Sequence, residues 1–150
     1  MTSLTLAKIT RDNVGAACSI AVEPRQESYV APVARSLAEA YAQPEIAWPR
    51  LILADGEPVG FVMGGFDPDC PIDHFRCGIW RLNVATGRQG KGYGRFAVEA
   101  VLDEARRRDQ RRATVLWVPG EHGPEAFYLR LGFHDTGTVH DGQHVGEIDL

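Results

Sequence analysis

Short runs in which apolar and polar residues alternate recur along the chain, and this pattern predicts β-strands with one buried face. Two Asp-Gly pairs, Asp55-Gly56 and Asp141-Gly142, lie between such runs and favour tight hairpin turns. Strands are predicted at residues 4–9, 51–54, 59–66, 79–84 and 113–118, with a closing hairpin from residue 133 to residue 150. Strands therefore occupy both ends of the chain and its middle.

Apolar residues spaced three and four positions apart predict helices between these strands. The helix after Pro32 would place Val33, Leu37 and Tyr41 on one apolar face, and a loop between Pro44 and Pro49 would follow it. Helices are predicted over residues 13–22, from residue 33 onwards, over 93–108 and over 124–131. Strands and helices alternate without a repeat or a linker, which predicts one α/β domain over residues 1–150 with a mixed sheet.

Composition narrows the function classes. Hydrophobic residues make up 44% and charged residues 24% of the 150 residues, so the chain has the composition of a globular protein. The net charge of −4 argues against a nucleic-acid partner, because such proteins carry a basic excess. No apolar run is long enough to span a membrane and no leader sequence is evident, so a cytoplasmic location is expected. Three cysteines without metal-ligand spacing predict neither a disulfide framework nor a metal site.

Four glycines crowd into positions 87–94, between a predicted strand and the longest predicted helix. The spacing does not fit a nucleotide P-loop, because Tyr93 and Gly94 follow Gly92 where Lys and Ser or Thr are required. It does not fit the dinucleotide fingerprint either, because Arg95 stands at the third glycine position. Glycines let the backbone approach an anion, and the N–H groups of a helix start can bind it. The pattern therefore predicts an anion-binding loop.

The run Leu82-x-Val84-x-x-x-x-Gln89-Gly90-x-Gly92-x-Gly94 resembles the acetyl-coenzyme A motif of the GNAT superfamily of N-acetyltransferases. The later run from Phe127 to Phe133 is similar to the second family motif, a Tyr five residues before the Phe of an L-G-F ending. The resemblance implies a mostly antiparallel sheet of about six to seven strands, flanked by about four helices. The sequence departs from the family pattern at two places. Thr86 stands where the family often has Pro, and residues 119–123 lack the usual Asn.

The resemblance also implies the site and the reaction. Tyr128 would protonate the leaving thiolate, with direct acetyl transfer in a ternary complex. The substrate-binding candidates are Glu27, Glu39 and Trp80, and no metal is implied. The residues implied to bind acetyl-coenzyme A are Leu82, Asn83, Val84, Arg88, Gln89, Gly90, Lys91, Gly92, Tyr93, Gly94 and Arg95.

The acceptor is inferred from a weaker sequence similarity. The runs 24–27, 36–40, 58–62 and 79–82 are similar to bacterial spermine/spermidine acetyltransferases, which implies a small primary amine such as a polyamine. An aminoglycoside-like antibiotic, an amino acid, a protein amine or a non-catalytic sensor role are alternatives. The general base is open among Glu27, Glu39, Asp73 and His74, and Cys77 is the candidate for a covalent intermediate. A homodimer would form through a sheet edge or the C-terminal hairpin.

Overall fold

Seven strands form one sheet through the centre of the molecule, which a computed structural model describes over residues 1–150. Their order across the sheet is β1-β2-β3-β4-β5-β7-β6. All neighbours are antiparallel except β4 and β5. The strands are β1 (Leu4–Lys8), β2 (Ala47–Ala54), β3 (Glu57–Phe66), β4 (Cys77–Val84), β5 (Arg112–Trp117), β6 (His134–His140) and β7 (Gln143–Asp149).

Helices cover both faces of this sheet. The four helices are α1 (Val14–Cys18), α2 (Val33–Ala42), α3 (Tyr93–Arg107) and α4 (Glu125–Arg130), with 3-10 turns at Pro24–Gln26 and Asp73–Phe75. α3 buries Val98, Val101 and Ala105 in the larger core cluster, while α1 and α2 contribute to a smaller cluster with β2 and β3. No helix is both long enough and apolar enough to cross a membrane. The predicted mixed, mostly antiparallel α/β fold is confirmed.

The one parallel contact, between β4 and β5, is very short. Only Gly78 with Thr114 and Ile79 with Val115 are paired, and the later residues of the two strands have no partner across this boundary. A Cβ added at Gly78 would lie 2.0 Å from the carbonyl oxygen of Thr114. Glycine therefore permits the close approach at the joined end, and beyond it the sheet opens into a gap.

Two predicted boundaries and one predicted face are wrong. β2 begins at Ala47 and includes Pro49, because β1 pairs only with residues 50–54 and leaves the proline on a free edge, where its missing N–H costs nothing. α1 ends at Cys18, and the Ala21 carbonyl then accepts the Thr86 N–H at 2.7 Å instead of continuing the helix. Tyr41 is 89% exposed, and Ser36 and Ala40 are buried on α2 instead.

Candidate active site

A cleft of about 850 Å³ occupies the gap between β4 and β5. The residues after Pro24, the glycine loop, the start of α3 and α4 complete its walls. It brings together most of the residues implied from the sequence: Glu27, Trp80, Leu82, Val84, Arg88, Gln89, Gly90, Gly92, Tyr93, Gly94, Arg95 and Tyr128. Asn83, Lys91 and Glu39 do not line it.

The glycine loop, most of which lines this cleft, contains a row of backbone N–H groups without a partner in the protein. None of the N–H groups from Gln89 to Arg95 donates a hydrogen bond to the backbone. Gly90 and Gly92 have φ values of 74° and 85°, the left-handed region that glycine adopts without steric cost. A Cβ at either position would meet no atom within 4 Å, so the space in front of the loop is open. Unpaired donors at the positive end of the 15-residue α3 suit an anion such as a pyrophosphate.

Side chains from the N-terminal third hold this loop in place. Gln26 and Gln89 exchange two amide hydrogen bonds of 2.9 and 2.7 Å, and Gln89 Nε2 also donates to the Val84 carbonyl at 3.0 Å. The Glu23 carboxylate accepts the Gly87 N–H at 3.1 Å, and this bond is the main reason that the pKa of Glu23 is lowered. The side chain of Gln89 is thus structural, which leaves its backbone N–H as the group that is free to contact a ligand.

The remaining implied cofactor residues divide into those that face the cleft and those that do not. Arg88 and Arg95 line it, although each also pairs with a carboxylate, Glu57 and Glu99 respectively. The Asn83 side chain is buried, does not line the cleft and donates from Nδ2 to the Ala31 carbonyl at 3.0 Å. Its contribution to a ligand is therefore limited to the backbone of β4.

Tyr128 lies on α4 and lines the same cleft as the loop. Its ring stacks on Trp117 with centroids 6.0 Å apart and meets Phe133 edge-on at 5.6 Å. Burial raises the pKa of its hydroxyl, and no hydrogen bond or charge contributes to that shift. A neutral, otherwise uncommitted hydroxyl facing the cleft is suited to donate a hydrogen bond to a group that becomes negative there.

A cluster of charges lies where α2 meets β4. Arg81 Nη2 contacts Glu39 Oε2 at 3.1 Å, and Arg35 Nε contacts Glu39 Oε1 at 3.2 Å. Both arginines line the cleft, whereas Glu39 does not. Glu39 is thus committed to two arginines in the protein, and its predicted contact with a ligand remains a prediction. Sequence reasoning missed Arg35 and Arg81.

The other base candidates lie away from the cleft. Asp73 pairs with Arg76 and Arg112 at the far end of β4. His74 packs against Phe75 and His140 in the same region, with centroids 4.7 and 4.8 Å away. Cys77 is buried there too, and burial raises its pKa to about 11. Glu27 is the only carboxylate that lines the cleft, and of the candidate bases the structure therefore favours Glu27 over Asp73 and His74.

One cluster with metal-ligating side chains was not visible in the sequence. Glu125, Asp135 and His144 bring one ligand atom each to within 4.8 Å of the others. The His144 Nδ1 lies 3.2 Å from Asp135 and 3.8 Å from Glu125. The same contacts join α4, β6 and β7, so the cluster also has a structural role.

Solved structures with low sequence identity share this fold. A PaiA N-acetyltransferase from Thermoplasma acidophilum, in complex with coenzyme A, is 14% identical over 99% of both chains, with a TM-score of 0.73. An aminoglycoside acetyltransferase in complex with coenzyme A is 19% identical over 98% of this chain and 95% of that one, with a TM-score of 0.75. An N-acetylglutamate synthase from Neisseria gonorrhoeae is 14% identical over 99% of this chain and 35% of that one, with a TM-score of 0.72.

The family of the chain is assigned by comparing its sequence with models of known protein families. No curated protein matches the chain in a sequence comparison. The model of the acetyltransferase (GNAT) family matches residues 16–133, a span that contains the glycine loop and Tyr128. The chain therefore belongs to the GNAT family of acetyltransferases, enzymes that use acetyl-coenzyme A.

Proposed function

We propose that this enzyme transfers the acetyl group of acetyl-coenzyme A directly to a primary amine of a small molecule bound in the same cleft. The observation that carries the proposal is the row of unpaired N–H groups from Gln89 to Arg95, which leads into the gap between β4 and β5. The loop would bind the pyrophosphate, and the free edge of β4 from Leu82 to Val84 would bind the pantetheine arm. Arg88 and Arg95 would add positive charge, and Lys91 would act only at long range.

Tyr128 would act on the leaving group. When the amine nitrogen attacks the thioester carbonyl, the C–N bond forms, the C–S bond breaks and the sulfur leaves as a thiolate. A thiol has a pKa of about 8.5 and tyrosine an ordinary pKa of about 10, and burial raises that of Tyr128 further. Complete proton transfer from Tyr128 to the sulfur is therefore uphill. Its hydroxyl instead stabilises the developing thiolate by donating a hydrogen bond. The amine loses a proton when it becomes the amide, and the thiolate gains one when it is released as the thiol, so the protons balance.

The amine must lose a proton before it attacks, because an alkyl ammonium has no free lone pair. Glu27, the one carboxylate on the cleft wall, would take this proton directly or through water. A covalent route through Cys77 is disfavoured, because a thiol with a pKa of about 11 is ionised to about one part in ten thousand at neutral pH. Cys77 is also absent from the cleft wall.

The identity of the amine is the finer part of the proposal. The sequence resemblance to polyamine acetyltransferases implies a polyamine, and Glu27 could hold one ammonium group. The structural neighbours include an aminoglycoside acetyltransferase and an N-acetylglutamate synthase, so this fold accepts amines of several kinds. A non-catalytic sensor would bind the coenzyme and acetylate nothing.

Thermal unfolding tests the coenzyme site. Acetyl-coenzyme A at 100 times its dissociation constant should stabilise the protein by about 2.7 kcal/mol, which corresponds to a shift of about 5 °C or more. ATP and NADH should give no comparable shift. Gly92→Ala should abolish the shift, because the new Cβ enters the space in front of the loop.

Gly56→Ala is the matched control, since Gly56 has a φ of 80°, lies in open space and is outside the cleft. Both variants should lose similar intrinsic stability, and only Gly56→Ala should keep the response to the coenzyme. A wild-type protein that shows no shift with millimolar acetyl-coenzyme A would contradict the proposal.

A further inference from the structure

Outside the glycine loop and the start of α3, the charged side chains that line the cleft are mostly positive, with Arg35, Arg81 and Arg130 against Glu27. Glu27 is its one acidic lining residue, whereas Arg35 and Arg81 both line it near β4 and α2. The glycine loop and Tyr128 account for the coenzyme side, so this second basic region is not needed for the pyrophosphate. A polyamine or an aminoglycoside would bring several positive charges into it, at a cost in electrostatic free energy.

The two arginines share a single carboxylate. Arg81 Nη2 lies 3.3 and 3.1 Å from the two Glu39 oxygens, and Arg35 Nε lies 3.2 Å from Oε1. Two positive charges against one negative charge leave a net charge of +1. Arg81 is only 19% exposed and Glu39 26%, so this pair is partly shielded from water, whereas Arg35 is 70% exposed.

Arg35 retains free hydrogen-bond donors. Its Nε contacts Glu39, but its two terminal nitrogens donate no hydrogen bond, and its side chain is 70% exposed. This end of a guanidinium binds a carboxylate through two parallel hydrogen bonds. Arg35 also lies in the first turn of α2, which contains no acidic residue and no side-chain cap, so the positive end of the helix dipole adds to the same field.

We propose that the acceptor is an amine that also carries a carboxylate, an amino acid rather than a polyamine, and that Arg35 with Arg81 binds that carboxylate. Glu39 fixes the two guanidinium groups in position without neutralising both. The ammonium group of the same substrate would then lie towards Glu27 and the thioester. This inference rests on the proposed acetyltransferase function and narrows its substrate class.

The test compares amino acids with partners that lack the carboxylate: ornithine with putrescine, lysine with cadaverine and phenylalanine with phenethylamine. Spermidine and kanamycin represent polycationic amines. At least one amino acid should have a higher kcat/KM than its decarboxylated partner and than either polycation. Arg35→Gln should reduce that preference by about 10-fold or more, mainly through KM, because a hydrogen-bonded charge contact is lost. Taking the ratio in each variant cancels the difference in amine pKa between the two substrates.

Arg25→Gln is the matched control, because it removes the same charge from an exposed residue that does not line the cleft. It should leave the preference unchanged. Thermal midpoints of all variants check that they remain folded.

Three results would overturn the inference. They are a wild-type preference for spermidine or kanamycin, a preference that is the same in Arg35→Gln, and coenzyme binding without acetylation of any amino acid. In all three the proposed coenzyme site would stand, because thermal stabilisation by acetyl-coenzyme A measures it separately. Loss of that stabilisation in the wild type would instead remove the proposed function and this inference with it.

Discussion

At the scale of single residues, Tyr128 combines a buried ring with a hydroxyl that has no partner in the protein. The ring contacts Trp117 and Phe133, so packing fixes the position of the hydroxyl in the cleft. The ring atoms of Tyr128 therefore contribute to stability, whereas its hydroxyl group contributes to the chemistry.

Tyr128→Phe should lower kcat by about 10- to 100-fold, the effect of losing a hydrogen bond to a developing charge. KM for acetyl-coenzyme A and the thermal midpoint should change little, because the ring and its contacts remain. Steady-state kinetics measure both constants. Tyr41→Phe removes an exposed hydroxyl outside the cleft and should leave kcat unchanged. Wild-type kcat in Tyr128→Phe would refute the role of the hydroxyl.

At the scale of secondary structure elements, the most constrained contact is the joined end of β4 and β5. Gly78 allows the backbones to approach, and Thr114 Oγ1 donates to the carbonyls of His74 and Cys77 at 2.7 and 3.2 Å. The geometry of the gap depends on this end remaining closed.

Gly78→Ala should destabilise the protein by about 1–3 kcal/mol, because its Cβ would overlap the Thr114 carbonyl and force the strands apart. Gly65→Ala, on β3, is the control, since its Cβ would meet Trp80 at an ordinary 3.6 Å. Denaturant unfolding of both variants gives the two free energies. Equal destabilisation of the two variants would mean that the close approach is not the cause.

Local sequence patterns predicted the elements well where the signal was local. α3 was predicted to within one residue of its observed end, and both Asp-Gly turns have the positive φ values of tight hairpins. The error at Pro49 arose because the absence of a pairing strand on one side lets a proline fit in β2, and the error at Tyr41 arose because packing against the sheet decides which face of α2 is buried. That information is tertiary.

At the scale of the whole molecule, the N-terminal third supports the coenzyme loop through contacts between residues far apart in the chain. Gln26 and Gln89 are separated by 63 positions, and Glu23 and Gly87 by 64. The motif allowed the loop and Tyr128 to be predicted from the sequence, because their residues are close together in the chain. The supports of the loop and the pairing of Arg81 with Glu39, 42 positions apart, could not be predicted in this way.

Glu23→Gln tests this support through its pH dependence. The folded pKa of Glu23 is lowered by the Gly87 N–H, so its charge stabilises the fold above the unfolded pKa of about 4.5. That stabilisation is lost as the pH falls through the folded pKa. Wild type should therefore exceed Glu23→Gln in thermal midpoint near neutral pH, and the difference should vanish in acid.

Glu45→Gln, at an exposed residue without an ion pair, should show no such pH-dependent difference from wild type. Coenzyme affinity at neutral pH should also fall in Glu23→Gln, because Gly87 loses a charged partner. A difference in midpoint that does not depend on pH would exclude the carboxylate as the source.

The short junction of β4 with β5 divides the backbone hydrogen bonding of the sheet into two nearly separate groups. Strands β1 to β4 form one ladder and strands β5 to β7 another, so the two groups are joined chiefly by side chains packed beneath α3. A ligand lying in the gap would bridge both groups at once. A bound coenzyme would thus take the place of a further strand between β4 and β5. It would connect two groups of strands that are otherwise weakly joined.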